Sequence, residues 1–384
     1  AWYVWMIPYI SIYFIKEKNK HKALMLHIFF SCSYIVFFIF FYTSEYKDIY
    51  FFGQELNLKF KSEKLINLSF TFLQVSLFFI MYTFYQYGIK SNSIYKKKTN
   101  LSIGIGGDSG SGKTRLLFKL KDIFKDKLLA IEGDGEHKWE RGNSNWNKFT
   151  HLDPRANYIH KQADSIFQLK QNQTIYRSNY NHELGNFTKP EEVKPREIIV
   201  IAGLHPFYIS TLRRNIDFKI YLDTEESLRL HWKTLRDISK RQYTKSKIKE
   251  QIEKRKVDAK KYIHPQKKFA DMVIKFFPVK NFKPSAKYTD AGIGLEITMS
   301  ASIYIEDLIQ SLSSKLVSWD YNEDLSSQYI RLKNQPLNNF EMLAKKTIEN
   351  INEIINQDAK WAKGYDGLLQ YLCTKIIAEK LKEN

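Results

Sequence analysis

The stretch "GGDSGSGKT", residues 106–114, decides the fold predicted for this chain. It contains the spacing Gly-x4-Gly-Lys-Thr, and it lies between the strand-like "LSIGI" (101–105) and the helix-like "RLLFKLKDIF" (115–124). Glycines let successive backbone N–H groups turn inward around an oxyanion, and the N-terminus of the following helix strengthens that field. This spacing in a strand–loop–helix context predicts a phosphate-binding loop in an α/β domain.

The residues of this loop are the predicted nucleotide site. Lys113 is expected to pair with the β- and γ-phosphates of the nucleotide, and the Thr114 hydroxyl is expected to bind Mg²⁺. The motif predicts nucleotide binding and leaves the reaction open. The predicted nucleotide-binding residues are Gly107, Asp108, Ser109, Gly110, Ser111, Gly112, Lys113 and Thr114.

The composition is divided between an apolar first part and a very polar remainder. The chain has 384 residues, 60 Lys and Arg against 41 Asp and Glu, and a net charge of +19, although its first ninety residues are strongly apolar. A basic balance favours anionic partners. Beside apolar spans, lysine-rich flanks are more simply explained as membrane-orienting charge than as a nucleic-acid surface, and no nucleic-acid module is recognisable. The two cysteines, Cys32 and Cys373, suggest neither a disulfide framework nor a metal site, which fits a reducing cytoplasmic setting.

Three apolar runs, at about 2–15, 23–43 and 65–87, are predicted to be transmembrane helices. The second and third are long enough to cross a hydrocarbon core of about 30 Å. We interpret the first, which contains Pro8, as the tail of a span in a chain truncated at its N-terminus. Its sequence "WYVWMIPYISIYFI" (2–15) resembles the last spans of multi-spanning glycosyltransferases that use polyprenyl-linked sugars.

Lysines predict the orientation of this membrane region. They cluster at 16–22, after the first run, and at 90–98, after the third. Loops rich in lysine face the cytoplasm in membrane proteins. The chain is therefore predicted to be an integral membrane protein with a membrane region at 1–98 and the phosphate-binding domain in the cytoplasm.

The residues after the loop resemble the phosphoribulokinase/uridine kinase family, and most of all the phosphoribulokinases of plants and cyanobacteria. The matching pieces follow in family order: "EGDGEHKWER" (132–141), "LDPRAN" (152–157), "YNHELG" (180–185), "GLHPFY" (203–208), "DFKIYLD" (217–223), "WKTLRDISKR" (232–241) and "IHPQKKFADMVI" (263–274). The resemblance implies an α/β P-loop kinase, with a mostly parallel sheet flanked by helices, at 99–280. It fits 281–384 more loosely, as a C-terminal α+β extension in which "DGLLQYLCTKIIAEK" (366–380) resembles the family's C-terminal helix.

The resemblance also implies a reaction and a set of site residues. A kinase of this type uses ATP and Mg²⁺ to phosphorylate a sugar hydroxyl. Asp134 matches the catalytic base, Lys113 the phosphate-loop lysine and Asp237 an acidic residue near the metal. The residues that match positions holding the sugar phosphate and the transferring phosphoryl group are His137, Arg141, Tyr180, His182, Lys233, Arg236 and Arg241. Without the resemblance, the basic residues of 232–241 would be interpreted as a solvated helix face.

The sequence departs from the family pattern at three positions. Ala202 stands where the family has a Glu that helps to hold Mg²⁺. Glu132 is a candidate replacement, because two residues before Asp134 in an extended strand its side chain would point to the same face. Glu136 occupies a usually aromatic position, and Ser111 replaces the redox-regulatory cysteine of photosynthetic relatives, which excludes disulfide control at that site.

Three functions remain open from the sequence. The leading hypothesis is a kinase acting on ribulose 5-phosphate or a related pentose phosphate. The alternatives are a nucleoside kinase similar to uridine kinase, and a catalytically impaired nucleotide-binding regulator of the membrane part, since Ala202 replaces the acidic residue. The sequence also leaves open a homo-oligomer.

Overall fold

The structure, a computed structural model, divides the chain into two compact units, residues 1–98 and 99–384. It describes residues 11, 20–41, 62–91, 99–181, 184–241, 244–279, 292–312, 317–349 and 351–383. Each unit is described by itself below.

The described residues of the first unit include two packed helices, α1 (Lys20–Phe41) and α2 (Glu63–Ser91). Phe30 of α1 packs with Leu73 and Ile80 of α2, and a hydrogen bond of 2.8 Å joins the hydroxyls of Ser33 and Ser76. Among the described residues, one helical stretch, Glu63–Thr83, is long and apolar enough to cross a membrane, and the apolar stretch Leu24–Phe40 is shorter. The third predicted span thus meets the length requirement, and the second, at 23–43, corresponds to the shorter stretch. Nearly all of the first, at 2–15, lies outside the described residues.

The second unit alternates strands and helices over its first half. Its strands are β1 (Leu101–Gly107), β2 (Leu128–Glu132), β3 (Ile175–Arg177), β4 (Tyr180–Asn181), β5 (Asn186–Phe187), β6 (Glu191–Val193), β7 (Ile198–Gly203), β8 (Phe218–Leu222), β9 (Met272–Pro278), β10 (Ile293–Ser300), β11 (Val317–Tyr321) and β12 (Ser327–Leu332). Its α-helices are α3 (Lys113–Phe124), α4 (Ser144–Lys148), α5 (Ile159–Lys170), α6 (Ser210–Arg214), α7 (Glu226–Arg241), α8 (Lys245–Asp258), α9 (Glu306–Ser311), α10 (Phe340–Thr347), α11 (Ile351–Ile354) and α12 (Gly364–Glu383).

An eight-stranded sheet forms the centre of this unit, in the order β11-β12-β10-β9-β8-β1-β7-β2. The strands from β2 to β9 in this order run parallel, and β10, β12 and β11 add an antiparallel edge. β1 and β7 are buried along their whole length, as expected for strands covered on both faces. The predicted α/β fold with a mostly parallel sheet flanked by helices is confirmed.

Hydrophobic residues pack on both faces of the sheet. On one face, Leu120 of α3 and Leu372 of α12 belong to a single cluster with Ile103 of β1. On the other, Ile166 of α5 packs with Ile201 of β7. Because α12 and the strands after residue 292 share this core and sheet, 281–384 forms no separate compact unit in the structure.

Candidate active site

The phosphate-binding loop connects β1 to α3 and depends on glycine. Gly107, Gly110 and Gly112 all have positive φ, at 145°, 88° and 104°. A Cβ atom at Gly107 would lie 2.6 Å from the carbonyl oxygen of Leu222, so a side chain does not fit there. These glycine conformations let the loop turn directly into α3, so that the N-terminus of the helix faces the loop. A helix N-terminus in this position favours binding of an anion.

Lys113, the first residue of α3, is buried against this loop. Its ammonium group donates hydrogen bonds to the carbonyl oxygens of Gly107, at 2.8 Å, and Asp108, at 3.0 Å. Burial lowers the pKa of Lys113, while the negative charges of Asp134 and Asp108 oppose that shift. A desolvated cation fixed at the start of a helix is well suited to a phosphate group.

Asp134 follows β2, the strand at the parallel edge of the sheet. It lies in a short 3₁₀ turn, Gly133–Gly135, and its Oδ1 accepts a hydrogen bond of 2.8 Å from the backbone N–H of Leu204. Leu204 itself comes directly after β7. The carboxyl ends of parallel strands meet at one edge of a sheet, so Asp134 and the loop after β1 lie on the same side.

One cavity brings together two of the predicted catalytic residues and one predicted substrate residue. It has a volume of about 330 Å³, and Lys113, Asp134 and Arg236 all line it. The loop contributes further residues, since Ser109, Gly110, Gly112 and Thr114 also line this cavity. Helix α7 supplies Arg236 across the loop, where its Nη2 lies 3.3 Å from the Ser109 hydroxyl. Residues far apart in sequence therefore face one volume.

Asp237 and Arg241, which neighbour Arg236 on α7, differ from it in position. The Asp237 side chain is 1% exposed, and its Oδ1 accepts hydrogen bonds from Nε and Nη2 of Arg236 at 3.0 and 2.8 Å. Asp237 is not among the described residues that line the 330 Å³ cavity. Arg241 is the last residue of α7, and its side chain lies outside the described part of the chain.

A second, basic cavity of about 220 Å³ lies beside the loop, between α7 and α8. Its lining includes Asp108, Glu226, Arg229, Lys233, Arg255, Lys256, Lys260 and His264. Burial would raise the pKa of Asp108, but a hydrogen bond with His264, the charge of Arg229 and the Ser109 amide hold it at about 2. Asp108 is therefore ionised and pairs with Arg229 at 3.2 Å.

Lys233 and Arg229 are buried cations that line the basic cavity. Lys233 is 3% exposed, and no described residue forms a hydrogen bond or ion pair with its ammonium group. Burial, together with repulsion from Arg255, lowers its pKa to about 8. A buried charge without a hydrogen-bonded partner is costly to the fold.

Three further predicted substrate residues form a group near β4. The His137 ring lies 5.2 Å from that of Tyr180 and 4.2 Å from that of His151, and His137 and Tyr180 are both buried. Arg141 is exposed and packs against Gly185. A Cβ atom added to Gly185 would lie 2.8 Å from the Cβ atom of Arg141. The described members of this group do not line the 330 Å³ cavity. His182 lies outside the described residues.

The structure does not support the geometric argument made for Glu132. β2 ends at Glu132 and the 3₁₀ turn begins at once, so side-chain alternation does not extend to Asp134. Glu132 is exposed, and its charge acts on Arg177. Ala202 is buried, opposite Glu132 in the sheet.

Thr114 and Asp134 line the same cavity, and both have side-chain oxygen atoms that could bind Mg²⁺ at the loop. No group of three or more His, Cys, Asp or Glu that could hold a metal occurs among the described residues. Two protein oxygens suit Mg²⁺, which usually binds through one or two protein groups, substrate phosphates and water. The residues present thus fit a nucleotide-bound magnesium ion.

Sequence reasoning missed several partners at this site. Glu136 pairs with Arg177 at 3.9 Å, and both side chains are almost fully buried. Burial raises the pKa of Glu136 and lowers that of Arg177. Arg115 and Asp366, which also line the 330 Å³ cavity, form a bidentate pair across 251 positions. No local pattern signals contacts over such separations.

Comparison with known proteins places this α/β fold and phosphate-binding loop in a defined class. The family model "Phosphoribulokinase / Uridine kinase family" matches residues 102–283. The phosphoribulokinase of Synechocystis sp. is 40% identical over 179 residues, which are 46% of this chain and 54% of that protein. The uridine kinase of Borrelia duttonii is 32% identical over 181 residues, which are 45% of this chain and 84% of that protein.

A solved structure agrees in fold. The phosphoribulokinase from Rhodobacter spheroides has a TM-score of 0.54 and 18% identity, over 75% of this chain and 99% of that one. The chain belongs to the phosphoribulokinase/uridine kinase family, as its motifs predicted. It spans about half the length of the curated phosphoribulokinases it matches. The resemblance of 2–15 to a glycosyltransferase stays a prediction.

Proposed function

We propose that the protein is an ATP-dependent kinase that transfers the γ-phosphoryl group to a hydroxyl of a phosphorylated sugar. The observation that carries the proposal is that Lys113, Asp134 and Arg236 line one cavity at the phosphate-binding loop. Family membership supports the same reaction class, since relatives at 33% and 40% identity are named phosphoribulokinases.

In the proposed reaction the acceptor oxygen attacks the γ-phosphorus, and the bond between that phosphorus and the β–γ bridging oxygen breaks. ADP leaves, and the hydroxyl proton passes to Asp134. The transition state is loose, so a base at this place mainly orients the attacking oxygen. Its hydrogen bond from Leu204 N–H fixes the carboxylate for that task. Mg²⁺ bound to the phosphates would neutralise part of their negative charge.

The cations of the loop and of α7 suit the transferring phosphate. Lys113 is placed to pair with the β- and γ-phosphates, and Arg236 lines the cavity from the other side. Asp237 is proposed to act indirectly, because it holds the Arg236 guanidinium by two hydrogen bonds. Arg241 remains a prediction for the acceptor site.

Lys233 favours an acceptor that already carries a phosphate. Its buried ammonium has no partner among the described residues, and cations outnumber carboxylates in the lining of its cavity. An anionic group would remove the penalty of leaving this charge alone. Ribulose 5-phosphate or a related pentose phosphate is the proposed acceptor, with His137, Arg141, Tyr180 and His182 as further predicted contacts.

The membrane location is proposed on the properties of α2. The outer side chains of this helix are apolar and exposed, for example Leu68, Phe78 and Met81, each more than 60% exposed. A stretch of 21 residues, Glu63–Thr83, meets the length and composition of a span. We propose an integral membrane protein whose kinase domain lies in the cytoplasm. Retention of the full chain in alkali-washed membranes supports this location, and release by alkali contradicts it.

Two other functions are weighed against the sugar-phosphate kinase. The uridine kinase of Borrelia duttonii, of which this chain covers 84%, favours a nucleoside acceptor. Ala202 favours a nucleotide-binding regulator without turnover. An enzyme assay separates all three.

The test uses the full chain in mild detergent with Mg-ATP, and measures ADP release with ribulose, ribulose 5-phosphate, other pentose phosphates and uridine. Turnover with phosphorylated pentoses supports the proposal, and turnover with uridine alone moves the acceptor to the nucleosides. ATP binding without ADP release on any acceptor indicates the regulator. Lys113→Ala should abolish turnover, while Lys345→Ala, at an exposed pair with Glu341 on α10, serves as the matched control.

A further inference from the structure

The short turn that carries Asp134 lies at the edge of the sheet. β2 ends at Glu132, and it is the last strand at its side of the eight-stranded sheet. An edge strand has backbone groups on its outer side that the sheet does not pair. Buried backbone polar groups nearly always find a partner, so side chains that reach the turn can decide where the Asp134 carboxylate lies.

Arg177 supplies the first of these side chains. It is the last residue of β3 and is 3% exposed, and its Nη2 donates a hydrogen bond of 2.8 Å to the carbonyl oxygen of Glu132. The same nitrogen packs against the turn, because a Cβ atom added to Gly135 would lie 3.6 Å from it. The guanidinium group therefore fixes the end of β2 directly before the turn begins.

Gln162 supplies the second side chain, from α5. It is 4% exposed, and its Nε2 donates a hydrogen bond of 2.6 Å to the carbonyl oxygen of Gly133. The carboxylate itself meets the end of β7, where the N–H of Leu204 donates to Asp134 Oδ1 at 2.8 Å. A Cβ atom added to Gly203 would lie 3.2 Å from the same oxygen. Three different elements thus hold the two carbonyl groups before Asp134 and its carboxylate.

Glu136 is the counter-ion of Arg177. Its Oε1 lies 3.9 Å from Nε of Arg177, and both side chains are almost fully buried. Removing one partner of a buried pair leaves the other charge uncompensated, which destabilises the fold by itself. A test of Arg177 must therefore change Glu136 together with it.

We propose that Arg177 is a positioning residue that sets the place of the Asp134 carboxylate through the Glu132 carbonyl. Gln162 does the same through the Gly133 carbonyl. Neither is among the described residues that line the 330 Å³ cavity, and neither lies in the sequence pieces that resemble the family. Misplacing a reacting group by about 1 Å can cost on the order of 10²-fold in rate, so a residue outside the cavity can control kcat. This inference rests on the proposed function, in which Asp134 is the proton acceptor.

The test measures hydrogen exchange of the Leu204 N–H, by mass spectrometry of overlapping peptides from the full chain in detergent. The variants are Arg177→Met combined with Glu136→Gln, which leaves no buried charge alone, and Gln162→Met, which changes no charge. Methionine keeps an unbranched apolar side chain and donates no hydrogen bond. Exchange at Leu204 should rise about tenfold in each, because its N–H loses a charged acceptor. Asp134→Ala removes that acceptor outright and gives the upper limit.

Turnover is the second readout, with Mg-ATP and ribulose 5-phosphate. In the double variant kcat for ADP release should fall on the order of 10²-fold, while ATP affinity stays within about twofold. ATP affinity is preserved because β7 separates the loop after β1 from β2. Lys345→Ala is the control and should change neither exchange nor turnover. If the double variant fails to fold, Gln162→Met decides by the same two measurements.

The two readouts separate this inference from the proposed function. Unchanged exchange at Leu204 in both variants overturns the inference, because the Asp134 carboxylate then keeps its place without these donors. A rise in Gln162→Met alone overturns the role of Arg177. Raised exchange with unchanged kcat also overturns the inference, since the displaced carboxylate then does not limit the reaction. If the unmodified protein releases no ADP with any acceptor, the kinase proposal fails, and the exchange data still show whether Arg177 holds the turn.

Discussion

Replacing Lys233 with methionine should stabilise the protein at pH 7 and weaken its use of phosphorylated acceptors. Methionine keeps an unbranched chain without the charge. The Lys233 ammonium is buried. The charges of Arg255 and Arg229 lower its pKa, and those of Asp108 and Asp237 raise it. Burial and the two arginines prevail, which lowers the pKa to about 8.

The magnitude follows from this pKa. The ordinary value is 10.5 and the folded value is about 8. Each pH unit between them is worth about 1.36 kcal/mol, so the charged form of Lys233 destabilises the fold by about 3 kcal/mol. Between these two values the unfolded chain binds more protons, and stability therefore rises with pH. The penalty is fully present below pH 8 and disappears towards pH 10.5.

The assay is urea denaturation of the full chain in detergent at pH 7 and pH 9.5. Lys233→Met should be more stable than the unmodified protein at pH 7, and the difference should shrink at pH 9.5. Lys194→Met, at a lysine whose side chain is 75% exposed, is the control and should change the free energy of unfolding by less than about 0.5 kcal/mol. A less stable Lys233→Met at pH 7, or a difference that does not shrink at pH 9.5, refutes the reasoning.

Three further predictions follow from the site. Asp134→Asn should lower kcat by a factor on the order of 10²–10⁴ with little change in ATP affinity, because it removes the proton acceptor and keeps the shape of the side chain. Ala202→Glu should raise ADP release, since it supplies the carboxylate that the family has for Mg²⁺. Glu136→Gln should gain stability relative to the unmodified protein as pH rises above 4.5, because burial raises the pKa of Glu136 and its folded state holds a proton that the unfolded chain releases. Denaturation at pH 4.5 and 7.5 measures that gain.

Contrary results are equally specific. Unchanged turnover in Asp134→Asn removes Asp134 from the reaction. Flat turnover in Ala202→Glu shows that the missing carboxylate does not limit the enzyme. A Glu136→Gln protein that loses stability relative to the unmodified one at the higher pH would show that the pair with Arg177 outweighs the burial of the carboxyl group. Asp164→Asn, on the exposed face of α5, serves as the control for the acidic substitutions.

The sequence alone determined the parts of this protein that depend on local backbone geometry. A phosphate-binding loop needs glycine at fixed positions between a strand and a helix, and residues 101–124 contain that whole pattern. The mostly parallel sheet was predicted through the family resemblance of the residues after the loop. The family motifs then led to Asp134 and Arg236, which the structure brings to one cavity with Lys113.

Only the tertiary structure decided how distant groups meet. The strand alternation expected from Glu132 to Asp134 is interrupted by a 3₁₀ turn that begins directly after β2. The Arg115–Asp366 pair joins α3 to α12, and the burial of Lys233 arises in the cavity between α7 and α8. Burial and pairing are properties of the folded chain, because the free energy of a charge is set by whatever surrounds it in space, and neighbours in sequence reveal little of that environment.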